Sequence, residues 1–267
     1  MSWISETETL SHRETVNGEL RPLNNNLMLR VLGNPRGSYS QACGPVTNPK
    51  IGRLIVTKDV GPFRVTGLSP AVDELTEIFA DIRQEHPEIY AALGSAGMLC
   101  ARNVRGSKTA ISNHSWGCAI DLTLEGKLDS YGDGTVQRGL KVIHPIFNRH
   151  GFYWGVAFRK EDAMHFEVSQ QLLLNWLRAG KLGEHAVEAT AVKVNEIIGK
   201  MTLGDRGPEV EELQRRLNHV AGAGVDEDGI FGPATRAAVI DFQEDRGLVA
   251  DGIVGAATRA ELGIPAV

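Results

Sequence analysis

A histidine and an aspartate seven positions apart, with a glycine between them, constrain this chain more than any other feature. They lie in Ser112-Asn113-His114-Ser115-Trp116-Gly117-Cys118-Ala119-Ile120-Asp121. Side chains on a straight strand alternate faces, so positions an odd seven apart point to opposite sides. A turn or bulge at Gly117 lets His114 and Asp121 converge. A convergent imidazole nitrogen and carboxylate oxygen suit Zn²⁺, and a catalytic zinc takes three protein ligands and leaves a fourth position to water. A third donor is therefore expected downstream. His165 supplies it in Glu161-Asp162-Ala163-Met164-His165-Phe166-Glu167, with a carboxylate three residues before it.

The 267 residues suffice for one sizeable core and a small second domain. From Met201 onward the chain carries six Arg, no Lys and twelve acids, a charge of −6 against +1 for the rest. An acidic C-terminal part argues against nucleic acid or an anionic membrane as its partner. No segment reaches the length of a membrane span, and the N-terminus lacks a basic stretch followed by an apolar run, so neither membrane anchor nor signal peptide is expected. Cys43, Cys100 and Cys118 are too sparse for a disulfide framework. Reduced thiols are expected in preference to a Cys43–Cys100 bridge, with Cys118 a small buried strand position.

The first fifty residues, rich in Asn, Gly, Ser and Pro, read as an arm and loops. A short strand over residues 54–57 precedes a Gly61-Pro62 turn. A helix follows, with Ser69 as cap, Pro70 at its start and Val72, Leu75, Phe79 and Ile82 on one face. Residues 97–106 read as a strand leading to His114; it carries Arg102 and Arg105, whose guanidinium forks suit a substrate carboxylate. Residues 126–136 form a Gly/Asp-rich loop. Its Asp129 and Asp133 suggest calcium, but the twelve-position loop with a terminal Glu is absent, so a turn is expected. A helix over 136–150 contains Pro145, with His144 and His150 as packing or surface residues. Ser169 caps a last amphipathic helix bearing Leu172, Leu173, Trp176 and Leu177. Residues 183–200 read as a linker. Beyond it, Asp228-Gly229-Ile230-Phe231-Gly232-Pro233-Ala234-Thr235-Arg236-Ala237 recurs 23 residues later as Asp251-Gly252-Ile253-Val254-Gly255-Ala256-Ala257-Thr258-Arg259-Ala260. Each copy is a turn entering a helix.

The two polar stretches read S-x-H-x-x-G-x-A-x-D followed by D-x-x-H-F-E. In this the chain resembles the zinc D-alanyl-D-alanine carboxypeptidase and L-alanyl-D-glutamate endopeptidase family, in its phage endolysin form. The resemblance covers roughly the first 180 residues, and its specific motifs lie between about Gly97 and Glu167. It implies His114, Asp121 and His165 as metal ligands, Asp162 as general base, Arg102 rather than Arg105 as the substrate clamp, and an aromatic stretch at 152–154 lining the cleft. Glu161 is the rival base, turned away by one residue's displacement. Glu167, on the same strand face as His165, is placed to orient an imidazole. The repeat, with Leu203-Gly204-Asp205-Arg206-Gly207 before a helix bearing Val210, Leu213, Gln214 and Leu217, resembles the three-helix peptidoglycan-binding module of wall hydrolases.

The expected fold is α+β: a small, mainly antiparallel sheet with flanking helices in residues 1–182, a linker over 183–200, and a three-helix module over 201–267. The resemblance implies a monomeric peptidoglycan hydrolase with a Zn²⁺ cofactor. It would be made in the cytoplasm and released to the wall through a membrane lesion opened by a holin-type partner. L-alanyl-D-glutamate cleavage is expected, with D,D-carboxypeptidase activity or a non-catalytic wall-binding protein as alternatives.

Overall fold

The computed structural model describes residues 2–183, 200–205 and 207–265. In chain order its main elements are β1 (Thr7–Thr9), α1 (Asn25–Val31), α2 (Pro49–Gly52), β2 (Ile55–Asp59), β3 (Arg64–Leu68), α3 (Ser69–Glu85), α4 (Pro87–Ala92), β4 (Leu93–Gly97), β5 (Ala119–Leu124), β6 (Lys127–Leu128), β7 (Thr135–Gln137), α5 (Arg138–Arg149), β8 (Phe152–Trp154), β9 (His165–Val168), α6 (Gln170–Arg178), α7 (Pro208–Ala221), α8 (Pro233–Asp245) and α9 (Ala256–Leu262). The chain separates into two compact units, Met1–Leu23 with Leu32–His185, and Asn24–Val31 with Ala186–Val267. Of the linker expected over 183–200, residues 184–199 lie outside the described residues. Among the described residues, no helix is long and apolar enough to cross a membrane.

The first unit is built on an antiparallel sheet in the order β4-β5-β9-β8, with β6 added to β5. Alternation along β5 sorts its side chains: Ile120, Leu122 and Leu124 are fully buried, while Asp121 and Thr123 lie on the opposite, half-buried face. In β9, Phe166 and Val168 join the apolar face, which leaves His165 and Glu167 beside Asp121. The apolar face packs on helices. Phe166 meets Phe147 of α5 at 4.1 Å between ring centroids and stacks on Trp154 at 5.9 Å, and Phe147 meets Phe79 of α3 edge-on. Each such buried ring contributes roughly 1.5–3 kcal/mol.

Several local expectations are corrected. Ser69 is the first residue of α3 rather than its cap, because β3 pairs through Leu68 and the Ser69 N–H bonds to the Leu54 carbonyl. The strand expected at 97–106 is β4 instead, ending at Gly97. A register shift lies between Ser95 and Gly97, the ladder ends at the Gly97–Asp121 pair, and residues beyond it hold only single bridges, Gly44 with Ala101 and Asn103 with Ile111. Residues 135–137 pair with β1, so α5 begins only at Arg138. The asparagine run in the arm opens α1, since the Asn24 side chain accepts the Leu27 N–H at 2.8 Å and satisfies an otherwise unpaired donor. Ser169 caps α6 as expected, accepting from Leu172 N.

The thiol expectation is also overturned: Cys43 and Cys100 form a disulfide, with Cα atoms 5.1 Å apart. Gly44 and Ala101 exchange two backbone hydrogen bonds of 3.1 Å and carry the preceding cysteines together, a proximity invisible at a separation of 57 residues. Cys118 is fully buried, and burial pushes its thiol pKa up.

The second unit holds α7, α8 and α9 around Val210, Leu213, Leu217, Phe231, Val239, Phe242, Val254 and Leu262. Its turns are fastened by two buried glutamines in equivalent networks. Gln214 donates to Asp228, the Ile230 carbonyl and Thr235, and accepts the Gly229 N–H. Gln243 does the same with Asp251, Ile253, Thr258 and Gly252. In this unit α1 contributes Asn26, which donates to Thr202 Oγ1 at 3.0 Å.

Candidate metal centre

The convergence expected at Gly117 is made by a helical turn. Residues Asn113–Trp116 form one turn of 3₁₀ helix, and Gly117 closes it in the left-handed region at φ +67°. A Cβ on Gly117 would stand 2.6 Å from Leu68 N, so both conformation and space call for glycine. The turn lifts His114 over the polar face of β5. Its Nδ1–H donates to the Met98 carbonyl at 2.9 Å, which leaves Nε2 free to face Asp121.

Asp121 and His165 arrive by register, as direct partners across β5 and β9. His165 Nε2 donates to Glu167 Oε2 at 3.0 Å, so its Nδ1 faces the same point as His114 Nε2. The three atoms form a near-equilateral triangle: His114 Nε2 to Asp121 Oδ1 3.2 Å, His114 Nε2 to His165 Nδ1 3.2 Å, and His165 Nδ1 to Asp121 Oδ1 3.1 Å. Tetrahedral zinc with bonds of about 2.0–2.1 Å spaces its donors about 3.3 Å apart. The donor set therefore fits the ion. With the Nδ1–H of His114 directed to Met98 and the Nε2–H of His165 to Glu167, the remaining ring nitrogen of each imidazole faces the other and the Asp121 carboxylate.

The supporting groups are buried. Glu167 accepts from His165, from Leu23 N at 2.9 Å and from Asn113 Nδ2 at 2.8 Å, tying the arm and the 3₁₀ turn to β9. Burial opposes charge on Asp121 and His165. Their mutual bonds, with His114 and Glu167, outweigh it, holding the Asp121 carboxyl well below its usual range and the His165 imidazole well above. Burial raises the Asp162 carboxyl, and the charges of His165, Asp121, His114 and Arg105 all act on it. Asp162 Oδ1 is buried without a hydrogen-bond partner. Its N–H donates to the Gly155 carbonyl, and a Cβ on Gly155 would lie 2.8 Å from the Asp162 carbonyl, so Gly155 sets the approach of this segment.

The remaining candidates separate. Glu161 faces away from the triangle and accepts the Gly132 and Gly134 N–H groups. Arg102 is half-buried and donates to the Asn103 carbonyl, while Arg105 is exposed. The aromatic stretch divides: Phe152 and Trp154 are fully buried in the core, where Phe152 meets Phe147 of α5, while Tyr153, on the other face of β8, pairs opposite Glu167 and stacks on Phe158, itself 5.6 Å from the His165 ring. His144 stacks on Trp154, and His150 pairs with Glu74 and Asp81. Sequence reasoning missed Asn113 and Met98; the first is adjacent to His114, whereas a backbone carbonyl leaves no residue-type signal at all.

Residues 105–168 match the family model described as D-alanyl-D-alanine carboxypeptidase, and residues 206–262 match that described as a putative peptidoglycan binding domain. No curated protein matches the chain. Among solved structures, a peptidoglycan-binding protein from Clostridioides difficile in complex with glutamine hydroxamate is 42% identical over 24% of this chain and 40% of its own, with a TM-score of 0.23. The Burkholderia AP3 phage endolysin is 52% identical over 24% of this chain and 25% of its own, with a TM-score of 0.24. Each likeness thus spans less than half of the solved chain. Segments similar to these two families thus lie on one chain.

Proposed function

We propose that this chain is a zinc-dependent peptidoglycan hydrolase that cuts an amide bond of the stem peptide, with residues 1–182 catalytic, 183–200 a linker and 201–267 the wall anchor. The observation that carries the reading is the triangle of His114 Nε2, Asp121 Oδ1 and His165 Nδ1, within the electrostatic reach of the half-buried Asp162, whose Oδ1 has no hydrogen-bond partner. The family match over residues 105–168 supports it independently. His114, Asp121 and His165 would hold the ion. When bound, zinc supplies Lewis acidity, bringing the pKa of a water to about 7 and polarising the scissile carbonyl.

The chain's own groups do the rest. Asp162 takes the proton of the attacking water and returns it to the departing amine, so that amide and water become carboxylate and amine. Its burial suits it to this, since a raised carboxyl is the stronger base. Glu167 keeps His165 in one tautomer and orientation. Arg102 receives a substrate carboxylate in its guanidinium fork. Arg105 is the second candidate for that task, because its charge acts on Asp162.

Within the class, L-alanyl-D-glutamate cleavage is the first reading, from the D-x-x-H form seen in phage members. D,D-carboxypeptidase activity is the second, favoured by the description of the matching family. Mass spectrometry of products from purified peptidoglycan separates them: the endopeptidase leaves new D-glutamyl N-termini, the carboxypeptidase releases free D-alanine. Zinc-loaded protein that yields neither would leave the non-catalytic wall-binding reading. A chain ending at Lys181 is expected to cut soluble muropeptides but to sediment poorly with walls, since tethering raises local concentration without touching the chemistry. We further take the protein to be a monomer reaching the wall through a lesion made by a partner.

A further inference from the structure

The glycine- and aspartate-rich loop between β6 and β7 reads as a plain turn in the sequence, and the fold adds a third carboxylate to it from a distant segment. Ligand-type oxygens of Asp129, Asp133 and Glu161 lie within 4.8 Å of one another. Asp129 is 3% exposed and Glu161 4%. Backbone amides meet part of this charge. Glu161 accepts from Gly132 and Gly134, Asp133 Oδ1 from the Thr135 N–H and hydroxyl, and Asp129 Oδ2 from Gln137 N at 2.6 Å.

Acceptors are left over. Asp129 Oδ1 is buried with no hydrogen-bond partner, as is Gln137 Oε1, on the residue whose N–H holds Asp129. Buried polar atoms are rarely unsatisfied, and orphans that are all acceptors, set among carboxylates, call for a donor or a positive charge. Two neighbouring cations are engaged elsewhere. The Lys160 ammonium lies over the Tyr131 ring at 4.2 Å, and the Arg13 guanidinium donates to the carbonyls of Val156, Phe158 and Arg159. Burial, with Asp133, Glu161 and Asp162 as like-charged neighbours, pushes the Asp129 carboxyl up to about 7. A single proton relieves one oxygen of this set; a divalent cation relieves all of them.

We propose that Asp129, Asp133 and Glu161 form a second cation site, separate from the His114–Asp121–His165 centre, which takes calcium. The all-oxygen donor set selects a hard cation over zinc. Calcium accommodates six to eight oxygens in irregular arrangements, amide carbonyls among them, whereas magnesium demands near-octahedral geometry and keeps its waters. The ligands come from two segments, 129–133 and 161, so the ion cross-links the loop to the strip of chain that ends in Asp162. If Asp162 is the base, as proposed above, calcium also raises turnover by fixing that strip; binding itself does not rest on that reading.

The test uses the full chain, stripped of metals and reloaded with one equivalent of zinc, titrated with CaCl₂ in a calorimeter and in thermal melts. One equivalent should bind, and the melting midpoint should rise by roughly 5 °C at a hundredfold excess over the dissociation constant. MgCl₂ should give a smaller rise. Asp129→Asn keeps size and an acceptor for the Gln137 N–H and should abolish the calcium-dependent rise, as should Asp133→Asn. Asp121→Asn, which damages the zinc centre, should retain it. No heat and no change of midpoint in the parent up to about 10 mM, tenfold above the weakest constants usual for calcium modules, overturns the proposal. So does a calcium response that survives Asp129→Asn or disappears in Asp121→Asn. A chain that binds calcium at these residues yet degrades no wall keeps this site and removes the hydrolase reading.

Discussion

Asp121 and His165 stand directly opposite each other in the β5–β9 ladder, with Asp121 Oδ1 3.1 Å from His165 Nδ1. Because side chains alternate along a strand, a slip of one residue would exchange both for Ile120 and Phe166 and put the donors into the core. The apolar face thereby fixes the polar one. Asp121→Asn and His165→Ala are expected to lose stoichiometric zinc by elemental analysis while far-UV circular dichroism stays native. Stoichiometric zinc in His165→Ala would sink the ligand assignment. Chelation should likewise abolish wall degradation in the parent, and added zinc should restore it.

Glu167→Gln keeps the side chain's volume but removes the charge that fixes the His165 Nε2 proton. Zinc affinity, measured by competition with a chromophoric chelator, should fall roughly 10–100-fold. An unchanged affinity would leave Glu167 with only its structural bonds to Leu23 and Asn113.

Asp162→Asn cannot accept a proton. Turnover on soluble muropeptides should drop by roughly 10²–10⁴-fold, while zinc content and sedimentation with walls stay at parental values. Near-parental turnover with zinc bound would remove Asp162 from the base role. Arg102→Lys and Arg105→Lys, assayed in parallel, locate the substrate clamp by which of them raises KM.

The Cys43–Cys100 bridge closes a long loop, and its Cys100 N–H bonds to the His114 carbonyl. Cys43→Ser should cost about 2–4 kcal/mol of stability under non-reducing conditions. In dithiothreitol the parent and the variant should melt together. A persistent difference there would assign the loss to packing instead.

His150 joins α5 to α3, with Nδ1 2.8 Å from Glu74 and Nε2 3.0 Å from Asp81. Burial disfavours its charge, and the two carboxylates outweigh burial, raising its pKa above the ordinary 6.5. A raised folded-state pKa gives stability that is complete below the unfolded value and is lost as pH rises through the folded one. His150→Gln should therefore cost about 1 kcal/mol near pH 5.5, and the difference from the parent should vanish towards pH 9.

The polar motif was readable because its spacing is local at each end: Gly117 announces a reversal, and His165 and Glu167 sit two apart on one strand face. The repeat at 228 and 251 was readable for the same reason, each copy carrying its own turn residues. What escaped was set by pairing across distance. Residues 135–137 follow β1 rather than their own helical pattern, the 97–106 segment holds only single bridges beyond Gly97, and Cys43 meets Cys100 through the Gly44–Ala101 bridge. In the aromatic run at 152–154, Phe152 and Trp154 face the core and Tyr153 alone shares the face of Glu167, a division that local residue types do not show.

The two glutamine networks of the C-terminal module run in one direction along the chain. Gln214 lies ahead of the turn it fastens at 228–235, and Gln243 ahead of the turn at 251–258. During synthesis each clasp residue leaves the ribosome before the turn it fastens. Growth of such a module by duplication at its C-terminal end would leave every earlier clasp intact, whereas deletion of an internal helix would strand the next turn without its holder.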